Sequence, residues 1–138
     1  MTDIITGRCL CGAVRFEVHG RVEPPVACHC IECQRQSGAA SWISVTAPLD
    51  AVTITRDRLA WVFVSDKARR GFCRDCGGFL FWEPLGSNTI DIAFGALDRP
   101  HGLHLSAHIY TAESRLPLPE DGLPRYPAGR PGIDFGEH

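Results

Sequence analysis

The chain has 138 residues, 44% of them apolar, with 14 basic and 16 acidic residues and a formal charge of −2. This length and composition predict a single domain with its own hydrophobic core. The small net charge, without long runs of either sign, excludes the electrostatic pattern of nucleic-acid binders and of polybasic membrane-surface proteins. No apolar stretch approaches the length of a membrane span, and the N-terminus lacks the pattern of a secretion signal. We therefore expect a cytoplasmic protein with neither a nucleic-acid nor a membrane partner.

The alternation of apolar and polar residues predicts a mostly β domain. In the segment AVRFEVHG, Val14, Phe16 and Val18 fall on one face of a strand and polar residues fall on the other. Five further segments are rich in β-branched and aromatic residues and are separated by turn-forming residues. These segments are SWISVTA, VTITR, LAWVFVS, GFLFWE and NTIDIAFG.

Two segments depart from the strand pattern. The segment IECQRQSG lacks strand-forming residues, and it predicts a short helical turn that ends at Gly38. From Leu116 to His138 the chain is rich in Pro and Gly, which predicts irregular structure wrapped over the surface.

Seven cysteines are an odd and high number for a chain without an export signal. A secreted disulfide scaffold favours an even number, whereas a reducing cytosol keeps thiols free to bind metal. Metal binding is therefore the leading interpretation. The cysteines form three groups: Cys9 and Cys11, then Cys28, Cys30 and Cys33, then Cys73 and Cys76.

The first and third groups share a local feature that the middle group lacks. Both end in a Cys-Gly pair, Cys11-Gly12 and Cys76-Gly77, whereas Gln34 follows the middle group. Glycine allows the tight turn that directs backbone N–H groups at a thiolate. The likeness predicts that these two pairs together form one closed, four-sulfur zinc site.

The middle group is then left with three thiols. Three protein ligands leave one position of a tetrahedral metal free for water or substrate, as in catalytic zinc sites. Two alternatives stay open at this point. The CxxC spacing also fits a redox pair, and the fourth ligand can instead be His29 or one of His101, His104 and His108.

Four blocks of the chain resemble the successive blocks of the glutathione-dependent formaldehyde-activating enzyme family, which includes centromere protein V. They are GRCLCGAVRFEV, ACHCIECQRQSG, SDKARRGFCRDCGGFLF and the late HIY with DGLPRY. The resemblance spans Gly7 to Tyr126, and the order of the cysteine groups is its most specific feature. It implies an Mss4-like fold of small β-sheets packed around zinc. We expect a zinc-binding β domain over residues 1–126 and a Pro/Gly-rich tail over residues 127–138.

The resemblance also implies two zinc ions per chain. It assigns the structural zinc to Cys9, Cys11, Cys73 and Cys76. It assigns the catalytic zinc to Cys28, Cys30 and Cys33. This assignment agrees with the partition argued from the Cys-Gly pairs.

The activity that the resemblance implies is that of a carbon–sulfur lyase of the S-(hydroxymethyl)glutathione synthase type. Such an enzyme joins a small thiol, glutathione or a similar one, to an aldehyde such as formaldehyde. An open zinc suits this reaction because coordination lowers the pKa of the incoming thiol. His29 or His108 is a candidate for the acid that protonates the product alkoxide. Strand alternation would point His29 away from the metal, so a structural role fits it equally well.

Two functions without catalysis stay open beside the enzyme. The chain can be a zinc-stabilised binding module, or a thiol-based zinc or redox sensor that releases metal upon oxidation. An assay with a thiol and an aldehyde separates the enzyme from both.

Overall fold

A computed structural model describes residues 3–99 and 101–131 of the chain, and these residues form the mostly β architecture that the sequence predicted. The strands are β1 (Ile4–Arg8), β2 (Val14–His19), β3 (Val26–Cys28), β4 (Trp42–Pro48), β5 (Val52–Asp57), β6 (Leu59–Val62), β7 (Ala68–Cys73), β8 (Phe79–Pro84), β9 (Thr89–Ala93) and β10 (Ala107–Ile109). The helices are α1 (Ile31–Ser37) and short 3-10 turns at Leu49–Ala51, Phe94–Ala96 and Thr111–Glu113. Among these residues no helix has the length and apolarity needed to cross a membrane.

The strands form two sheets. The smaller sheet has the order β1-β2-β5, and the larger has the order β10-β3-β4-β9-β8-β7-β6. Neighbouring strands are antiparallel except for β10 and β3, which run parallel. The sheets include every strand segment predicted from the sequence, and β1, β3, β7 and β10 complete them.

The main core lies between the two sheets. Val14, Phe16 and Val18 of β2 are buried as the alternation predicted, with at most 1% of each residue exposed. Phe16 meets Phe81 of β8 edge to face, with the ring centroids 5.1 Å apart. Burying an apolar side chain of this size stabilises the fold by about 1.5–3 kcal/mol. Ile92 of β9 is buried in the same cluster.

The larger sheet uses its second face to build a cleft. Along β4 the side chains alternate, so that Val45 and Ala47 join the core while Trp42, Ser44 and Thr46 line the cleft. The face of the larger sheet that packs on the core is thus apolar, and the face that lines the cleft carries polar side chains. The candidate functional groups therefore lie on the cleft face.

The helix α1 holds the middle cysteine group together. It ends at Gly38, as predicted, with φ of 73° at this glycine. At its start the Cys30 sulfur accepts a hydrogen bond from the Cys33 N–H at 3.3 Å. A side chain that caps the first turn in this way satisfies a helix N–H that has no partner within the helix. The turn therefore keeps Cys30 and Cys33 on the same side of the helix start.

Residues 116–131 contain no helix or strand, as predicted for this part of the chain. They still pack along β10: the Tyr126 N–H donates to the His108 carbonyl, and the Tyr110 N–H donates to the Ala128 carbonyl, each at 2.9 Å. The boundary predicted at residue 126 stays a prediction. Residues 132–138 of the predicted tail lie outside the described residues.

Candidate functional site

Two turns from different sheets bring four cysteines together. Cys9 and Cys11 lie in the turn between β1 and β2, and Cys73 and Cys76 lie at the turn between β7 and β8. All four sulfur atoms lie within 4.8 Å of one another. The group therefore joins the small sheet to the large one.

The geometry of this four-sulfur group fits zinc. The Cys11 sulfur lies 3.7 Å from both the Cys9 and the Cys73 sulfur. A tetrahedron with zinc–sulfur bonds of about 2.3 Å has edges of about 3.8 Å, whereas a disulfide bond is about 2.05 Å long. Gly12 and Gly77 have φ of 80° and 77°, the left-handed conformation expected of the two Cys-Gly turns.

Backbone N–H groups surround these sulfurs. The Val14 N–H donates to the Cys9 sulfur at 3.3 Å, and the Asp75 N–H donates to the Cys73 sulfur at the same distance. Hydrogen bonds from the backbone of Cys11 and Gly78 lower the pKa of Cys76 to about 6. Hydrogen bonds to the charged form stabilise thiolates, which are the form that binds metal.

The middle group forms a second sulfur cluster. Cys28 ends β3, and Cys30 and Cys33 belong to the first turn of α1. Their three sulfur atoms lie within 4.8 Å of one another. Cys28 and Cys33 are buried, and Cys30 is half-buried. No histidine of the described residues joins either sulfur group within that distance.

The three thiols of the middle group differ in pKa. Hydrogen bonds from the thiols of Cys28 and Cys33 lower the pKa of Cys30 to about 2, and the charge of Arg70 adds to the effect. The hydrogen bonds to Cys30 and Cys33 raise the pKa of Cys28 far above its ordinary value. The bond with Cys28 lowers the pKa of Cys33, but Cys30 and burial outweigh it and raise the pKa to about 12. Within the trio the hydrogen bonds thus favour the thiolate at Cys30.

The three thiols lie at a cleft of about 680 Å³. A volume of this size is in the range of small-molecule sites, about 300–1,000 Å³. The four-sulfur group does not line this cleft. Its lining comprises Cys28, Cys30, Glu32, Cys33, Trp42, Ser44, Thr46, Lys67, Arg70, Trp82, Pro84, Thr89, Asp91, Ile109, Tyr110, Glu113, Gly129 and Arg130.

A row of side chains crosses the cleft floor from strand to strand. Arg70 of β7 is the register partner of Trp82 of β8, Trp82 is the partner of Asp91 of β9, and Asp91 is the partner of Thr46 of β4. The Thr46 hydroxyl donates to the Asp91 carboxylate at 2.6 Å. Burial raises the pKa of Asp91 to about 6. The floor therefore carries a cation and a carboxyl group on either side of an indole ring.

His29 points away from the cleft, as strand alternation predicted. Its Nε2 lies 2.9 Å from His108 Nδ1, and His108 Nε2 lies 2.8 Å from the Asp121 carboxylate. When His108 is neutral, its Nε2–H donates to Asp121 and its Nδ1 accepts the proton of His29. Burial, with a smaller contribution from His108, lowers the pKa of His29. The Gln34 amide also donates to the His29 carbonyl at 2.7 Å.

The remaining histidine candidates lie elsewhere. His101 packs edge-on against Phe94, with the centroids 5.1 Å apart, and His104 is exposed. Arg70 and Asp91 are residues that the sequence reasoning missed. The alternation along β7 and β9 places them on the cleft face, but the sequence does not show which strands are neighbours.

Comparison with known proteins gives three findings. The family model described as glutathione-dependent formaldehyde-activating enzyme matches residues 4–113. A Penicillium rubens protein named "Putative glutathione-dependent formaldehyde-activating enzyme" is 35% identical over 98 residues, which are 68% of this chain and 49% of that protein. The chain thus spans about half the length of this curated relative.

The third finding concerns the fold alone. A crystal structure of a Rhodobacter sphaeroides protein superimposes with a TM-score of 0.57 at 22% sequence identity. The match covers 87% of this chain and 98% of that one. On the strength of the family model and the curated relative, this chain belongs to the glutathione-dependent formaldehyde-activating enzyme family.

Proposed function

We propose that this protein joins a small thiol, glutathione or a similar one, to an aldehyde such as formaldehyde, as a carbon–sulfur lyase of the S-(hydroxymethyl)glutathione synthase type. Membership of the family supports the two substrate classes. The single observation that carries the proposal is the placement of three clustered thiols on a cleft large enough for a small molecule. The four-sulfur group, in contrast, joins the two sheets away from that cleft.

Two zinc ions per chain complete this proposal. Cys9, Cys11, Cys73 and Cys76 would hold a structural zinc, since their number and their sulfur separations fit a closed tetrahedral site. Cys28, Cys30 and Cys33 would hold the second, catalytic zinc. When bound there, the metal supplies a fourth position and a positive charge that lower the pKa of an incoming thiol.

The charges around the three thiols fit a divalent cation. Three thiolates carry three negative charges, and the buried guanidinium of Arg70 contributes one positive charge beside them. A divalent ion and Arg70 offset the charge of the three thiolates, and the remaining negative charge is that of Glu32, whose side chain is 63% exposed. Such compensation matters because uncompensated charge is costly in a partly buried site.

The side chains of the cleft bind and orient the reactants. Trp42 and Trp82 provide apolar walls, and Trp42 stacks on Phe79 with ring centroids 4.5 Å apart. Thr46 and Asp91 provide polar groups at the floor. Apolar walls exclude water from the attacking sulfur, and a few placed polar groups fix the orientation of a substrate.

The catalytic role predicted for His29 stays a prediction. Its side chain bonds to His108 instead of lining the cleft, and its backbone N–H donates to the Ile109 carbonyl at 3.0 Å. His29 lies between Cys28 and Cys30 in the chain. Contacts that fix His29 therefore also fix the positions of these two sulfurs, and His29 would affect the reaction in this indirect way. Groups that position metal ligands affect metal affinity, and His29 would act here through the backbone that carries Cys28 and Cys30.

The test is the exchange of label between formaldehyde and the glutathione adduct, followed by NMR with zinc-loaded protein. The adduct also forms without protein, so the expected result is an exchange rate that rises in proportion to protein concentration. Cys30→Ser should abolish this increase while the fold is retained. A zinc-loaded protein that leaves the exchange of several thiols unchanged would reject the enzyme in favour of the binding module. Zinc loss under mild peroxide that a reductant reverses, with unchanged exchange, would favour the sensor.

A reducing compartment belongs to the same proposal. The seven cysteines are free in the structure, and the clustered sulfurs are at metal-ligand separation instead of disulfide distance. Free thiols persist where glutathione and thioredoxin keep them reduced. We therefore place the reaction in the cytoplasm.

A further inference from the structure

A buried cation with a free hydrogen-bond donor lines the cleft. Arg70 of β7 is 4% exposed, and its Nη2 donates to the Glu32 carboxylate at 2.8 Å. Its Nη1 is buried and has no hydrogen-bond partner among the described residues. An unpaired buried donor costs about 1–3 kcal/mol, so such a group calls for a functional explanation.

The contacts of Arg70 place it beside the sulfur trio. Glu32 lies on α1 between Cys30 and Cys33, so the ion pair ties the guanidinium to the turn that carries these thiols. The guanidinium carbon also lies 6.0 Å from the centroid of the Phe79 ring, which stacks on the cleft residue Trp42. The ion pair with Glu32 therefore fixes the orientation of the guanidinium.

The other cations that line the cleft, and the paired histidines, are less suited to bind a new partner there. Lys67 is exposed, and Arg130 already donates from Nη1 to the Ser106 hydroxyl at 3.0 Å. His29 and His108 are bonded to each other outside the cleft lining. Among the described cations that line the cleft, Arg70 combines burial with an unpaired donor.

We propose that Arg70 is a catalytic residue whose Nη1 donates to the aldehyde oxygen as negative charge develops there, an inference that rests on the proposed thiol–aldehyde reaction. In that step a lone pair of the thiolate sulfur forms the carbon–sulfur bond. The electron pair of the carbonyl π bond moves to the oxygen, which then takes from water the proton that the thiol had released. No oxidant or reductant is involved. In the reverse direction the same donor stabilises the alkoxide before the carbon–sulfur bond breaks.

The chemistry of guanidinium fits this role. It is always charged and offers several N–H donors in a fixed plane, so one edge can hold Glu32 while another is presented to the oxygen. A charged donor fixed in advance at the position where negative charge develops needs no reorganisation during the reaction. Loss of one such donor in a hydrolase lowers kcat by about 10²–10³-fold.

The first test compares Arg70→Gln with Arg69→Gln. Arg69 is the neighbouring residue, but its guanidinium pairs with Glu83 at 2.9 Å and lies 3.8 Å over the Trp61 ring. Arg70→Gln should lower kcat for adduct formation by about 100-fold, by analogy with other lost charge-stabilising donors, and Arg69→Gln should stay near the wild-type kcat. Zinc content and melting temperature are measured for each variant. Arg70→Gln with wild-type kcat would overturn the inference.

Chemical rescue distinguishes loss of the guanidinium donor from loss of the fold. Arg70→Ala should regain activity on addition of guanidinium, at least about tenfold and with saturation, because the added ion restores the missing donor. Equal stimulation of Arg69→Ala would show a non-specific effect of the ion and would count against Arg70. Arg70→Lys retains charge without the planar fork, and should therefore stay below the wild-type rate.

A binding measurement separates failure of this inference from failure of the proposed function. Formate, an oxyanion of aldehyde size, is titrated into zinc-loaded wild-type protein while the guanidinium N–H signals of Arg70 are followed by NMR. We expect these signals to shift with saturation and those of Arg69 to stay unchanged. Unchanged Arg70 signals in an active enzyme would overturn the role of Arg70 as donor and leave the proposed reaction standing. Shifted signals in a protein without thiol–aldehyde turnover would show an open donor but reject the reaction, and with it the catalytic role of Arg70.

Discussion

The sulfur atoms of Cys11 and Cys73 lie 3.7 Å apart although 62 residues separate them in the chain. Cys11 belongs to the turn of the small sheet, and Cys73 ends β7 of the large one. A metal bound at this point would link the two layers that enclose the main core. The middle cluster links α1 to β3 within a local stretch of chain, so the two clusters should differ in what they contribute to folding.

The first prediction is that Cys11→Ser or Cys76→Ser abolishes folding, whereas Cys30→Ser does not. Zinc binding at a closed site contributes directly to folding, and its binding free energy, about 10–16 kcal/mol in zinc-finger peptides, is comparable to the whole stability of a domain, about 5–15 kcal/mol. We expect insoluble or unfolded protein for the first two variants. Cys30→Ser should unfold cooperatively with a loss below about 2 kcal/mol. Circular dichroism during heating measures both, and the reverse pattern would contradict the partition of the cysteines.

The second prediction concerns zinc stoichiometry. Protein purified under reducing, chelator-free conditions should carry up to two zinc ions and release them to a chromophoric chelator in two steps. The ion at the three thiols should leave first, because only three protein ligands hold it. Cys30→Ser should retain the slow step and lose the fast one. Release of one ion in a single step, with the three middle thiols open to alkylation throughout, argues against the second site.

The grouping of the cysteines into a set of four and a set of three was predictable from the sequence. Two Cys-Gly pairs have a local cause, a left-handed glycine after a ligand, and Gly12 and Gly77 adopt that conformation. The strand of Val14, Phe16 and Val18 was also predictable because period-two alternation is local. Arg70 and Asp91 were not predicted, since their roles depend on strand neighbours distant in the chain.

The contact between His29 and His108 was likewise not predictable from local sequence. His29 and His108 are 79 residues apart, and their bond depends on the parallel pairing of β3 with β10. The sequence around His108 does not indicate that its strand pairs with β3. Long-range register of this kind follows from the packing of the whole sheet. Local pattern therefore predicted how the cysteines group, and tertiary structure was needed for the cleft.

The third prediction is that Asp121→Asn loosens the metal of the middle cluster. The hydrogen bond from His108 is the largest cause that lowers the pKa of Asp121, and it fixes His108 against His29 beside the cysteines. Loss of the charged acceptor should weaken zinc binding there by about tenfold. Glu120→Gln, at the exposed neighbouring position, is the control. Chelator competition measures the affinity, and equal values for both variants would show that the histidine pair does not support the site.

The fourth prediction concerns the pH dependence of stability at Asp91. Burial raises its pKa from 3.8 to about 6, so the native state binds this proton more tightly than the unfolded state does. The contribution of Asp91 is therefore most favourable below pH 4 and is lost as the pH rises through about 6. Asp91→Asn keeps an acceptor for Thr46 without the charge, and should stabilise the protein at pH 7 by up to about 3 kcal/mol. The gain should vanish near pH 4.

Denaturant unfolding between pH 4 and pH 8 measures this effect. The exposed Asp66→Asn serves as the matched control, because it removes the same charge outside the cleft. A parallel gain in both variants would reflect net charge and not burial. A stability difference for Asp91→Asn that does not change with pH would show that the carboxyl group is not held protonated in the fold.

The most direct measurement places cobalt in the middle site and follows its absorption while glutathione is added. If a substrate thiol joins Cys28, Cys30 and Cys33, the sulfur-to-metal charge-transfer band should strengthen and saturate as a fourth thiolate binds. S-methylglutathione should leave the band unchanged because it supplies no thiolate, and metal analysis after gel filtration should show cobalt still bound. A retained cobalt ion whose spectrum does not respond to glutathione or to other small thiols would contradict thiol activation at this cluster.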